Sequence, residues 1–181
     1  LFATALSWVN TAVTGYLATG RVPGARGTEN VSLAPYKMSE DADGHVMIAA
    51  GNDNLFRRLA AALGHGEWAD DPRFLTNPLR VSNRETLNAL IAEVVRGCPC
   101  SDWVDRLEAV GVPCAPLQTL DQVLAHPQTK ALGMLQPTPD GTMQLMGLPL
   151  SFDGTRPAMR RGPVVLGADT ALVLGADADA K

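Results

Sequence analysis

Leu6, Val9, Val13 and Leu17 recur at intervals of three and four residues, which predicts a helix over Leu1–Ala18 with one broad apolar stripe, stopped by Gly20. The connector Arg21–Asn30 (RVPGARGTEN) follows, rich in Gly, Pro and charge. Val31–Ser39 and His45–Ala50 then read as two strands joined at Asp43-Gly44, a pair suited to a tight hairpin turn. The second strand is apolar almost throughout, which predicts a central place in its sheet. Asn52 or Asp53 caps a helix whose Leu55, Phe56, Leu59 and Leu63 sit at helical spacing, with Gly64 as its stop.

Trp68–Val81, containing Asp70-Asp71-Pro72-Arg73-Phe74 and Asn77-Pro78, reads as a run of turns. Ser82-x-x-Glu85 has the form of a capping box opening a second helix, with Leu87, Leu90, Ile91, Val94 and Val95 inward. A third starts at Ser101, turns Trp103, Val104, Leu107 and Val110 inward, and closes at Gly111. Thr119-x-x-Gln122 opens a short fourth, carrying Leu120, Val123 and Leu124 as far as His126-Pro127. Beyond Gly141 come short extended pieces, Met143–Met146 and Leu148–Phe152, a Pro/Arg-rich crossing, and a last short helix over Asp169–Leu174. The expected core is a small α+β lobe over residues 31–125. The helical lead-in and the irregular tail have no evident partner in the chain, and no long repeat is present.

With 181 residues, 46% of them apolar and 19% charged, the chain can bury a core and is not a disordered polymer. A net charge of −4, with scattered basic residues, argues against a duplex-binding surface. No run of about 18 apolar residues marks a membrane span. The stretch after Leu1 has no basic leader of a secretory signal. Opening at Leu1 without an initiator Met, directly in helix-like sequence, is expected of a fragment or a processed product. Three cysteines are too few for a secreted disulfide scaffold, and a reducing cytoplasm is the expected compartment.

Candidate chemistry is sparse. Cys98-Pro99-Cys100 lacks the second ligand pair of a zinc site and reads as a turn between helices. Cys114, between Pro113 and Pro116, reads as a packed thiol. His45, His65 and His126 hold no metal spacing, and His126 at a helix end has an explanation in the helix dipole. Asp70-Asp71 reads as a turn whose carboxylates accept from backbone amides. Neither a Gly-x-x-x-x-Gly-Lys loop nor a Gly-x-Gly-x-x-Gly turn is present. Gly20, Gly24 and Gly27 belong to a loop, and Gly51-Asn52 can lend backbone amides to an anion at the helix start that follows.

The order of these pieces resembles the class III CoA-transferases, the family of formyl-CoA and carnitine CoA-transferases and of alpha-methylacyl-CoA racemases. The matching run is Pro35-Tyr36, Asp43-Gly44-His45-Val46, Ala50-Gly51-Asn52-Asp53 and Asp71-Pro72-Arg73-Phe74. It continues through Asn77–Arg80, Asn83-Arg84, Trp103, Gly111–Pro116, His126-Pro127-Gln128, Met134, Pro149–Phe152 and Leu166–Thr170. The resemblance implies an α/β fold: a linker helix and connector over residues 1–30, a small α+β domain over 31–135, and a return segment into a large domain over 136–181. It further implies an interlocked homodimer and transfer of coenzyme A between an acyl-CoA and a carboxylic acid through an aspartate nucleophile upstream of Leu1. By that resemblance this chain holds no catalytic residue and no metal, and uses no cofactor, coenzyme A being a substrate. The residues it places against substrate are Gly27, Thr28, Glu29 and Asn30, in the loop opening the small domain, and Gly51, Asn52 and Asp53. The loop lacks the consecutive glycines of the formyl-CoA branch, which weighs against an oxalate-type substrate. A racemase of the same fold and a non-catalytic acyl-CoA-binding module are the alternatives.

Overall fold

A computed structural model describes residues 1–175, and the last six positions of the expected return segment, 176–181, lie outside the described residues. The chain divides into two compact units, one over Leu1–Leu117 and a second from Gln118 onward.

The first unit opens with α1 (Phe2–Trp8) and α2 (Asn10–Thr19) rather than one continuous helix. The break falls at Val9, whose backbone leaves the helical region (φ −99°, ψ 18°). Polar residues that compete for backbone groups flank it, and Ser7 Oγ donates to the Thr4 carbonyl at 2.7 Å. The apolar stripe is present but buries nothing within the unit: Leu6, Val9 and Leu17 are exposed.

The sheet is three-stranded, in the order β1 (Tyr36–Glu40), β2 (His45–Ala49), β3 (Cys114–Pro116), all antiparallel. The apolar second arm is central, as its composition predicts. The first strand begins only at Tyr36. Val31–Pro35 is bent because Asn30 Oδ1 accepts from the amides of Ser32 and Leu33, folding the chain into a turn. The hairpin connection is wider than a two-residue turn: Asp41 Oδ1 accepts from the amides of Asp43 and Gly44 and shapes a loop between Glu40 and His45. The third strand was not expected, since its flanking prolines argue for a loop. At a sheet edge they are tolerated.

α3 (Asp53–Ala62) starts where Asn52 Oδ1 accepts from Leu55 N–H at 2.9 Å. A 3-10 turn over Gly66–Asp70 and a tight turn through Phe74 lead to α4 (Asn77–Ser82), a helix inside the stretch read as turns. Pro78 lies in its first turn, where a missing N–H costs nothing. α5 (Arg84–Val95) follows almost at once, so the Ser82 capping box does not form. Ser82 ends α4, and Asn83 spends its amide on the carbonyls of Arg73 and Leu79.

α6 (Cys100–Ala109) has Pro99 at its N-cap, which offers no side chain; Asp43 of the hairpin loop accepts from Cys100 N–H at 2.8 Å instead. Val46 and Ile48 of β2, Phe56 and Leu59 of α3, Leu87, Ile91 and Val95 of α5, and Trp103 and Leu107 of α6 form one core. Trp103 Nε1 donates to the Val95 carbonyl at 2.7 Å, satisfying the indole inside that core. Val110, expected inward, is exposed because it lies just past the helix end.

The second unit carries α7 (Leu120–Ala125), with the Thr119–Gln122 capping box formed in both directions, and then α8 (Pro127–Ala131), which was not expected. Leu120, Val123 and Leu124 are exposed within the unit. β4 (Leu135–Pro137) pairs antiparallel with β5 (Gln144–Met146), inside the expected extended piece 143–146. Leu148–Phe152 forms no strand; only a bridge between Phe152 and Thr155 is present there. α9 (Thr170–Leu174) matches the last predicted helix.

The core of the first unit predicts a sharp contrast between two truncations. Leu87→Ala, at a fully buried position, is expected to cost about 2–5 kcal/mol of unfolding free energy. Val110→Ala is expected to stay within about 0.5 kcal/mol of the parent. Chemical denaturation followed by tryptophan fluorescence measures both.

Candidate functional site

The two groups of residues singled out by resemblance come together around the bend at residues 30–35. The bend is held by three side chains from α4 and α5, Asn77, Arg80 and Arg84, spaced three and four residues apart and so along one side of nearly continuous helix. Asn77 Oδ1 accepts from Ala34 N–H at 3.1 Å while its Nδ2 donates to the Ser32 carbonyl at 2.8 Å. Arg84 Nη1 and Nη2 donate to the carbonyls of Asn30 and Val31 at 2.9 and 2.8 Å.

Arg80 is fully buried and has no contact with solvent. Its Nε donates to the Ala34 carbonyl at 2.8 Å, its Nη1 to the Phe74 carbonyl at 2.9 Å, and its Nη2 to Asp53 Oδ1 at 2.8 Å. The guanidinium also stands over the Phe56 ring, 4.7 Å from its centroid. One cation thus joins the bend, the Phe74 turn and the first residue of α3. Gly51 completes the junction by close approach: a Cβ there would lie 2.9 Å from Leu33 Cδ1 and 3.0 Å from Leu33 Cβ.

Gly27 adopts a left-handed backbone (φ +60°) in open space. Thr28 Oγ1 accepts from Met38 N–H at 3.1 Å. Glu29 pairs with Lys37 at 3.2 Å, lies 3.6 Å from Arg84, and accepts from Asn88 Nδ2 at 2.9 Å. Burial pushes its carboxyl up, but Lys37 and Arg84 outweigh it and hold the group below its ordinary value of 4.5. Asn30 and Asn52 are engaged by backbone amides, and Asp53 by Arg80. The polar side chains of both groups are therefore bonded within the chain, and what the junction presents is a fixed backbone contour. The clamp residues Asn77, Arg80 and Arg84 belong to the run that carries the resemblance, which implies no role for them. Their helical spacing was the available signal, hidden by Pro78.

Two thiols, Cys100 and Cys114, are held in the protonated form at neutral pH. Burial, followed by the carboxylates of Asp41 and Asp43, pushes Cys100 up to about 11. Burial, with Glu108 nearby, also raises Cys114. His65 stacks on Trp68 at 4.5 Å and its Nδ1 is 2.9 Å from Glu67. His126 ends α7 as its C-cap, as expected, and its Nδ1 also accepts from Gln128 N–H at 3.1 Å, capping α8. Asp71 accepts from the Arg73 side chain and amide, which lowers its carboxyl, in the turn expected of this stretch. Among the described residues no three His, Cys, Asp or Glu side chains are grouped to hold a metal, and no helix is long and apolar enough to cross a membrane.

The profile of CoA-transferase family III matches residues 1–170, and the chain belongs to that family. An acyl-CoA transferase of Fusarium pseudograminearum is 33% identical across 99% of this chain and 41% of its own length. An acetyl-CoA:oxalate CoA-transferase of Acetobacter aceti is 31% identical across 85% of this chain and 39% of its own. The crystal structure of a CaiB/BaiF family protein from Brucella suis, 34% identical, superposes with a TM-score of 0.73 over 91% of this chain and 43% of that one. The chain thus spans less than half the length of the curated relatives it matches. The fold is that of an α/β class III CoA-transferase segment, as the resemblance implies.

Two predictions rest on this geometry. Arg80→Ala strips partners from two carbonyls and opens a cavity, and is expected to cost about 3–5 kcal/mol. Arg80→Lys recovers only part of that, because an ammonium cannot reach three acceptors in one plane. Thermal or urea unfolding of the variants decides this. Alkylation of Cys100 by iodoacetamide, read by peptide mass spectrometry, is expected to be slow at pH 7 and to rise steeply only toward its pKa of about 11.

Proposed function

We propose that the protein carrying this sequence transfers coenzyme A from an acyl-CoA thioester to a carboxylic acid. The family match over residues 1–170 carries this reading, and the relative from Acetobacter aceti supports a small carboxylic acid as one reactant. A carboxylate outside this segment attacks the thioester, breaking the carbon–sulfur bond and forming a mixed anhydride as the CoA thiolate leaves. The thiolate then attacks the enzyme's own acyl carbon, releasing the donor acid and leaving an enzyme–CoA thioester. The acceptor carboxylate reverses these two steps and departs as its CoA thioester, restoring the enzyme carboxylate. Coenzyme A is thus a substrate, and the reaction draws on no metal or further cofactor.

In this reading residues 1–30 form the linker, 31–135 the small domain and 136–181 the return segment. Gly27–Asn30 and Gly51–Asp53 lie along the acyl group. The clamp by Asn77, Arg80 and Arg84 supports that role, since a wall that does not move keeps the reacting carbonyl aligned. Exposed apolar side chains on α1 and α2, Phe2, Trp8 and Leu17 among them, support the interlocked homodimer. A cytoplasmic location is part of the same proposal.

The test uses the intact native protein, mixed with acetyl-CoA or succinyl-CoA and a panel of acids including oxalate and glutarate. A new CoA thioester detected by mass spectrometry is the expected result. Failure to form one from any pair overturns the reading. Loss of an α-proton to deuterated solvent, without transfer, would move the assignment to a racemase.

A further inference from the structure

A groove of about 520 Å³ in the first unit lies between the connector and the start of α5, and Arg21, Arg26 and Arg84 all line it. Val31 contributes an apolar wall, Thr86 a hydroxyl, and Glu85 the one carboxylate in the lining. With Arg84 balanced by Glu29, Arg21 and Arg26 against Glu85 leave one positive charge in excess there.

The arginines are not equivalent. Arg84 is nearly buried and fixed: its Nε donates to the Val81 carbonyl, its two other nitrogens to Asn30 and Val31, and Glu29 balances its charge at 3.6 Å. It forms a rigid floor. Arg21 and Arg26 reach the groove from the exposed connector, and among the described residues neither has an ion pair. Arg26 is set by a turn: its carbonyl accepts from Glu29 N–H at 3.1 Å, and Gly27 beside it is left-handed. Like charges converging on a concave wall repel one another until an anion sits between them. Guanidinium forks hold a planar carboxylate through two parallel bonds and suit phosphate oxygens equally.

We propose that this groove binds an oxyanion, a carboxylate or a phosphate on a small acidic molecule, with Arg21 and Arg26 as its ligands and Val31 against the adjoining carbon chain. This binding does not need the transfer of coenzyme A to hold.

Isothermal titration of the intact native protein with glutarate in one arm and inorganic phosphate in the other tests it, with uncharged glutaramide as control. Saturable binding that weakens with added salt is expected in at least one arm. Tighter glutarate points to a free acid as the natural ligand, and tighter phosphate to a phosphorylated one. The double variant R21A/R26A, altered only at exposed positions, is expected to bind at least about tenfold more weakly. Glu85→Gln is expected to bind more tightly, because it removes the opposing charge. No saturation in either arm, or an unchanged affinity in R21A/R26A, overturns the proposal. Turnover is not read, so a failure of coenzyme A transfer leaves the result intact.

Discussion

A guanidinium with no access to water organises the first unit. Burying the charge of Arg80 is unfavourable unless each nitrogen finds an acceptor, and the chain supplies them from three directions: Ala34 in the bend, Phe74 in the turn and Asp53 at the start of α3. Segments distant in sequence are thereby forced to a common point. Arg84, one turn further along, repeats the device on the carbonyls of Asn30 and Val31. Bends normally have soft backbones because water satisfies their polar groups. Here protein side chains take that place, and Leu33 packs directly against the backbone of Gly51.

The parts of the fold legible in the sequence are those whose signals are local. The apolar run of β2 announces a central strand, Asn52 caps α3 as its residue type suggests, and Thr119 with Gln122 forms its box. What escaped has non-local causes. The helix expected from Ser101 starts one residue earlier, at Cys100, but its capping partner, Asp43, lies far back in the chain and has no local signal. Ser82 and Glu85 match a capping pattern, yet a preceding helix already occupies Ser82. The stripe on α1 and α2 has the right period, but periodicity reports the capacity to pack and not the surface that covers it.

The candidate site divides in the same way. Gly27–Asn30 and Gly51–Asp53 were selected through resemblance to a family, and the structure does bring their backbones together across Leu33 and Arg80. Their side chains turn out to be spent on internal bonds, which composition could not reveal. Asn77, Arg80 and Arg84 carry the arrangement, and their spacing was visible once Pro78 is allowed in a helix's first turn.

The connector has one more effect, on the sheet itself. Tyr36 accepts from Asn30 N–H and Met38 donates to Thr28, both on the side of β1 that faces away from β2. Thr28–Asn30 therefore runs along that margin as a strip of false strand. On the opposite margin, β3 is three residues long and closes with Pro116, which has no N–H to offer. A sheet with an occupied border on one side and a donor-poor border on the other is a poor template for a further strand. This sheet is thereby protected against edge-to-edge pairing, on one border by residues that lead into the bend and on the other by Pro116.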